Sequence, residues 1–235
     1  MANRFFVSSI EVGASLELDK TQAHHVANVM RFEPGQQIHL FDGSGKEYLA
    51  EIAEVSRKRV SVTVLSESEP HAQIERKIHL YVALPKGDRQ KFLVEKLVEL
   101  GAESLTPLKT TRGVSVANEK VIQRMEKQVI EACKQCGRNR LMGIHPSIGL
   151  EAIPTSQDSP FLIAHPRRDL HLNQFNQAEI TEVHVAIGPE GGFTDEEVAL
   201  ALENGWTSVN FGPSILRIET AAVCAASILG VGWTK

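Results

Sequence analysis

Gly188, Pro189, Glu190, Gly191 and Gly192 stand between the apolar run EVHVAI and the acidic stretch TDEEV. Glycines this close together let a backbone approach a ligand, because they carry no Cβ. A second loop of this kind, FGPSI, follows TSVN and begins with Phe211 and Gly212. Phosphate is the first ligand to test, since helix N-termini attract anions. Here the helix start is already occupied. Thr194 with Glu197 makes a capping box, and Asp195, Glu196 and Glu197 complement the positive end of the helix dipole. A phosphate would meet like charge, and neither G-x-x-x-x-G-K-[ST] nor G-x-G-x-x-G after a strand is present. A neutral or cationic ligand held by main-chain groups fits better. S-adenosylmethionine, an adenosine without phosphate joined to a sulfonium, is such a molecule. Taken alone, GPEGG also reads as a tight strand-to-helix turn with no ligand.

Other chemistries have less support. Cys133 and Cys136 form a lone C-x-x-C inside a helical pattern, with no second pair to complete a four-ligand zinc site. Two small residues on a helix face is the plainer reading. Cys224 sits among alanines and reads as core. His24 and His25 lack metal-ligand spacing to another cluster, so no metal is expected. Three cysteines are an odd count, which argues against a disulfide framework and for a reducing, cytoplasmic setting. The formal net charge of −4 argues against a polycationic tail that wraps nucleic acid without selectivity. MANRFFVSSIEVGAS has no secretory pattern, and TAAVCAASILGVGW is too short and too rich in small residues to span a membrane.

Elements that could position these loops follow from the patterning. Over 1–70, RFFVSS, ASLEL, QQIHLFD, EYLAEIAEV and RVSVTVLSE read as short strands. DGSG (42–45) is a hairpin turn, and DKTQAHHVANVMRF is one helix stopped by EPG. SESEPHAQIER (66–76) reads as a linker. From 71 to 235 the apolar strands IHLYVALP, SLTPL, PFLIAHP, EVHVAIGP and WTSVNFG alternate with helices, which means an open parallel sheet. Ligands of such sheets sit beyond the carboxyl ends of the strands, where both glycine loops fall.

The motifs together are more specific than any one of them. HHVANVMRFEPGQQIHLFDGSG (24–45), LPKGDRQKFLVEKLVELGAESLTPLKTTR (84–112), EACKQCGRN (131–139), IGPEGGFTDEE (187–197) and FGPSILRIETA (211–221) occur in order across nearly the whole chain. In these segments the chain resembles the RsmE family of bacterial ribosomal RNA small-subunit methyltransferases, of the SPOUT superfamily. The resemblance implies an α/β fold: a SPOUT-type parallel sheet with a C-terminal trefoil knot over 71–235, preceded by a small PUA-like β-barrel over 1–70. General topology rules would not suggest a knot. It also implies S-adenosylmethionine-dependent methylation of N3 of one uridine in 16S rRNA, on naked rRNA or the 30S subunit, by a homodimer.

Carried onto this chain, the cofactor bed implied is Ile163 and Ala164, then Ile187, Gly188, Pro189, Gly191 and Gly192, then Phe211, Gly212, Ile215, Leu216 and Thr220. Uracil N3 carries a proton, so the reaction needs a base and a cation for the charge developing on O2 and O4. Arg217 is assigned the cationic role, with pairing to Glu219 or Glu190 as its structural alternative. Glu190, Glu219 and bulk water remain open as the base. Arg4, Arg31, Lys86, Arg89, Arg112 and Arg138 are the candidate RNA contacts. Ser214 stands where the family often has arginine. A SPOUT enzyme acting on a ribose 2′-hydroxyl or a tRNA base shares fold and cofactor; a non-catalytic assembly factor would not need both glycine loops.

Overall fold

The computed structural model describes residues 3–56, 59–68, 76–114, 117–166 and 170–230. The chain divides into two compact units, Met1–Gln73 with Ile130–Leu141, and Ile74–Val129 with Met142–Lys235.

In the first unit, alternation of apolar and polar residues produces β1 (Arg4–Phe6), β2 (Ser15–Glu17), β3 (Gln37–Phe41), β4 (Glu47–Val55) and β5 (Val60–Ser68). They form one sheet in the order β1-β3-β4-β5-β2, with β1 parallel to β3 and the other pairs antiparallel. Every second residue points inward, so Ile38, Leu40, Ala50, Ile52, Val60 and Val62 are fully buried. Register shifts between Leu49/Ala50 and Ile52/Glu54 mark irregularities that bend β4. The barrel expected from the sequence is a curled sheet whose edges, β1 and β2, do not pair. The Asp42–Gly45 turn forms as expected. Gly43 and Gly45 take φ of 87° and 108°, and Asp42 Oδ1 accepts the Ser44 amide at 2.9 Å.

The helix expected over 19–32 is divided. Asp19 caps α1 (Lys20–His24), and a π-helical turn, His25–Met30, continues it to Arg31 at φ 54°, the one non-glycine residue with positive φ among those described. Gln22 supplies a reason for the placement of α1. Its amide accepts from the Phe6 amide at 3.0 Å and donates to the Phe6 carbonyl at 2.8 Å, so a side chain occupies backbone groups of an edge strand.

Arg4 departs from expectation. It was a candidate RNA contact, yet it is 5% exposed, and its guanidinium bonds Glu47, Asn139 and the Arg138 carbonyl while lying 5.1 Å from the centre of the Phe41 ring. That burial leaves no exposed face for a phosphate; the charge instead joins β1 and β4 to the 130–141 segment of the same unit.

The second unit runs β6 (Lys77–Val82), α2 (Asp88–Glu99), β7 (Ser104–Lys109), α3 (Glu119–Cys136, whose residues from Ile130 on belong to the first unit), β8 (Gly143–Ile144), β9 (Ile148–Gly149), β10 (Phe161–Ala164), β11 (Glu182–Ile187), α4 (Asp195–Glu203), β12 (Thr207–Val209) and α5 (Ile218–Gly230). All strand pairs are parallel, in the order β12-β10-β11-β6-β7-β8, with β9 also on β7. Ile78, Leu80, Leu105, Leu162, Val183 and Val185 are fully buried, as strands covered on both faces require. The linker expected over 66–76 overlaps β5, which extends to Ser68; residues 69–75 lie outside those described.

A row of rings crosses this sheet. Phe161 stacks on His184 at 4.1 Å, and His184 on His79 at 4.7 Å. Burial first, then the neighbouring His79, lowers the His184 pKa from the usual 6.5 to about 4. An unfolded chain binds a proton there near pH 6.5 while the folded one does not. The stabilisation is therefore complete above pH 6.5 and is lost as pH falls toward 4, to a limit of about 3 kcal/mol. Urea denaturation in EDTA from pH 7.5 to 4.5 checks this: His184→Phe should remove much of the acid-side slope, and an unchanged slope would refute it.

Candidate active site

Because the strands of the second sheet all point one way, the loops after β10, β11 and β12 gather at one edge. These three strands are neighbours, and their loops enclose a cavity of about 230 Å³. Its apolar wall comes from Ile187, Phe193, Val209, Phe211, Ile215 and Leu216, and the turn after β11 supplies main chain from Gly188 to Gly192.

Each glycine has a separate reason. A Cβ on Gly188 would sit 3.0 Å from the ring of the buried Phe193 and 3.2 Å from its amide nitrogen. Gly192 takes φ 70° and donates to the Pro189 carbonyl at 2.8 Å, closing a tight turn. Gly212, at φ 118°, donates to Asn210 Oδ1 at 3.1 Å. The turn is braced from outside as well. Arg112 Nη1 donates to the carbonyls of Gly191 at 2.8 Å and Phe193 at 3.4 Å. The capping box of α4 is complete: Glu197 accepts from the Thr194 amide at 2.8 Å, and Thr194 Oγ1 accepts the Glu197 amide at 3.2 Å. Glu197 also accepts the Thr111 amide at 2.7 Å, which ties the loop after β7 to the same helix start.

Of the cofactor residues expected from the sequence, Ala164, Ile187, Gly188, Pro189, Gly191, Gly192, Phe211, Gly212, Ile215 and Leu216 line the cavity. Ile163 is fully buried in the sheet one residue short of the edge, and Thr220 is exposed on α5 outside the wall. His165 and Pro166, at the end of FLIAHP, and Ser214, in the loop from Phe211 to Leu216, line it within the expected loops, whereas Phe193, Val209, Ile218 and Ala221 line it unanticipated. Ile218 and Ala221 are three apart on the first turn of α5 and so share a face, a signal the apolar spacing already contained.

The charged candidates separate clearly. Arg217 is exposed, flanked in sequence by wall residues Leu216 and Ile218, and pairs with no carboxylate among the described residues. The pairing considered for it belongs to Arg89, whose Nη1 lies 3.2 Å from Glu190 and 3.8 Å from Glu219. Glu190 borders the cavity with its side chain 47% exposed; Glu219 is buried, at 8%, and is not part of the wall. Lys86 is exposed in the loop after β6, whereas Arg112 is committed to the glycine turn. In the first unit Arg31 is exposed and Arg138 half-buried.

A main-chain cradle lies at the carboxyl edge of a parallel sheet, with a guanidinium beside it in sequence, in a chain that matches RNA methyltransferases. Residues 72–230 match the family model described as an RNA methyltransferase domain, and residues 18–65 match an RNA methyltransferase PUA domain. The chain is similar to a Neisseria gonorrhoeae ribosomal RNA small subunit methyltransferase E crystallised with S-adenosyl methionine, with 31% identity, a TM-score of 0.90, and 99% and 98% of the two chains covered. A Legionella pneumophila protein determined in complex with bound SAM shares 34% identity over 97% of each chain, at a TM-score of 0.88. The Bacillus subtilis ribosomal RNA small subunit methyltransferase E is 29% identical, over 96% of this chain and 95% of its own. This chain belongs to the ribosomal RNA small subunit methyltransferase E family of RNA methyltransferases.

Proposed function

We propose that the chain methylates N3 of a uridine in 16S rRNA of the small ribosomal subunit, with S-adenosylmethionine held in the cavity at the carboxyl edge. The carrying observation is the wall itself. Among its residues Glu190 is the one carboxylate and there is no lysine or arginine; His165 and Ser214 are the other polar side chains, and the rest is apolar or glycine main chain. Such a lining suits a nucleoside without phosphate and a positively charged sulfonium, and it disfavours a nucleotide. S-adenosylmethionine supplies an electrophilic methyl group when bound there. Ile187, Ile215 and Leu216 would hold the adenosine by apolar contact, and Gly188–Gly192 with Gly212 by main-chain groups.

The chain's own residues then divide the proton and charge work. The bond from N3 to the methyl carbon would form as that carbon's bond to the sulfonium sulfur breaks, leaving a neutral thioether, and Glu190, the carboxylate that borders the cavity, accepts the N3 proton. Glu219 holds Arg89, and Arg89 positions Glu190. Arg217 stabilises the negative charge that spreads onto O2 and O4. Lys86 and Arg31, exposed cations, contact RNA phosphates. The active species is an isologous homodimer, which sedimentation tests, acting in the cytoplasm where ribosomes assemble. No helix among the described residues is long and apolar enough to cross a membrane.

Two measurements check the reading. Purified protein with radiolabelled cofactor should methylate small-subunit rRNA or 30S particles, and nucleoside mass spectrometry should find 3-methyluridine; a 2′-O-methyl product would overturn it. Gly188→Val should crowd Phe193, at a cost of about 1–3 kcal/mol to the fold, and displace the main chain of the turn, so that S-adenosylhomocysteine affinity falls by calorimetry. Unchanged affinity would remove the cofactor from this loop.

A further inference from the structure

Glu182 and His184 lie two residues apart on β11, so both side chains leave the same face of the sheet. In the parallel ladder His184 lies opposite His79 of β6. The Nε2 atoms of His79 and His184 are 3.2 Å and 3.4 Å from the same oxygen, Glu182 Oε1. Their Nδ1 atoms are engaged elsewhere, His79 with Ser104 Oγ at 2.7 Å and His184 with the Tyr81 hydroxyl at 3.2 Å. From this geometry we propose that His79, Glu182 and His184 bind one divalent transition-metal ion of the Zn²⁺ type, at a site separate from the cofactor cavity.

Bonds of about 2.0–2.1 Å in a tetrahedral arrangement put neighbouring donors about 3.3 Å apart. The two nitrogen-to-oxygen distances match that edge, and one donor atom from each of the three residues lies within 4.8 Å of the others. Two imidazoles and a carboxylate favour Zn²⁺ over Mg²⁺ or Ca²⁺, which prefer all-oxygen shells. Histidine ligands characteristically hydrogen-bond through their second nitrogen, which orients the ring; Ser104 and Tyr81 do this here. His79 Nε2 is also buried without a well-aligned hydrogen bond, although it faces the carboxylate. An ion would use that lone pair. The rings are within 12° of parallel, so His79 must turn about χ2, a broad torsion, while His184 stays held against Phe161. On binding, each ring carries its proton at Nδ1 and the two hydroxyls accept, which their chemistry permits. Glu182 is 38% exposed, so the fourth position opens to water. The site lies three residues before the end of β11, about 10 Å along the strand from the cavity edge. An ion there would clamp two central strands together.

The test uses the full chain, stripped with EDTA and titrated with Zn²⁺ against a chromophoric chelator, and separately with Co²⁺. The expected result is one Zn²⁺ per chain, and Co²⁺ absorption bands without thiolate charge transfer. His79→Ala and Glu182→Gln should weaken Zn²⁺ binding by roughly 100-fold or more, and Ser104→Ala by about 10-fold. Cys136→Ser should leave it intact. Circular dichroism establishes that each variant is folded, and Glu182→Gln, partly exposed, is the least disruptive. The proposal is overturned if the folded wild-type chain takes up no stoichiometric Zn²⁺, or if uptake survives Glu182→Gln and disappears with Cys136→Ser. Either result leaves the methyl-transfer reading standing, because the two sites share no residue.

Discussion

Arg217→Ala should lower the rate of methyl transfer about 10²- to 10³-fold, the usual effect of removing one donor that faces developing charge. Affinity for S-adenosylhomocysteine should hardly change, since the wall of the cavity is built from its neighbours Leu216 and Ile218 and not from its guanidinium. The effect is large because this guanidinium meets no carboxylate among the described residues, whereas Arg89 already balances Glu190 and Glu219. Charge that is not neutralised by the protein is available to the substrate. Arg217→Lys should recover part of the rate, keeping the charge but losing the planar fork. Single-turnover kinetics separate the two quantities. A variant with normal turnover would end the assignment, and one that lost cofactor affinity alone would move Arg217 into the binding surface.

Arg4→Ala should destabilise the protein by about 3–5 kcal/mol, because it strips a buried carboxylate of its partner. Glu47 is 4% exposed, and the imidazole of His39 lies 3.5 Å from it. Pairing losses on this scale come mainly from leaving a charge stranded. The double substitution Arg4→Met with Glu47→Leu should accordingly recover much of the stability lost by Arg4→Ala. Urea denaturation of the three proteins decides the matter. A loss below about 1 kcal/mol, the range of exposed pairs, would show that Glu47 is solvated when Arg4 is removed.

The Arg4 result also shows where sequence reading stops. A lone arginine at the start of a strand looks the same whether it faces solvent or a carboxylate more than forty residues away, since nothing local records the pairing with Glu47. Strands and helices were legible because their signals are local: alternation in β4 and β5, the capping box at Thr194, the glycines of DGSG. The carboxyl-edge loops were legible for a related reason, since parallel strands put their successors at one edge. Ile163 and Thr220 missed the wall by one or two positions, where strand length and helix phase decide. The division of the first helix at His25 was not legible either, and the contact that places α1, the Gln22 side chain on the Phe6 backbone, comes from across the fold.

Pro107 illustrates the middle ground. SLTPL reads as a strand despite a residue that cannot donate to a ladder. The structure accommodates it between the short partners β8 and β9, which pair with Ser104–Leu105 and Leu108–Lys109 respectively. Two two-residue strands on either side of a proline carry no sequence signal of their own. The His79, Glu182 and His184 group was missed for a similar reason. E-x-H on one strand is common, and its meaning comes from the partner strand's register.

A crystal structure of the protein with S-adenosylhomocysteine is the most direct measurement. The expected result is the adenosine packed on Ile187, Ile215 and Leu216, its polar edge on the main chain of the Gly188–Gly192 turn, and its sulfur beside Glu190. Density for the compound at any other place, with that turn closed over an empty edge, would contradict the assignment.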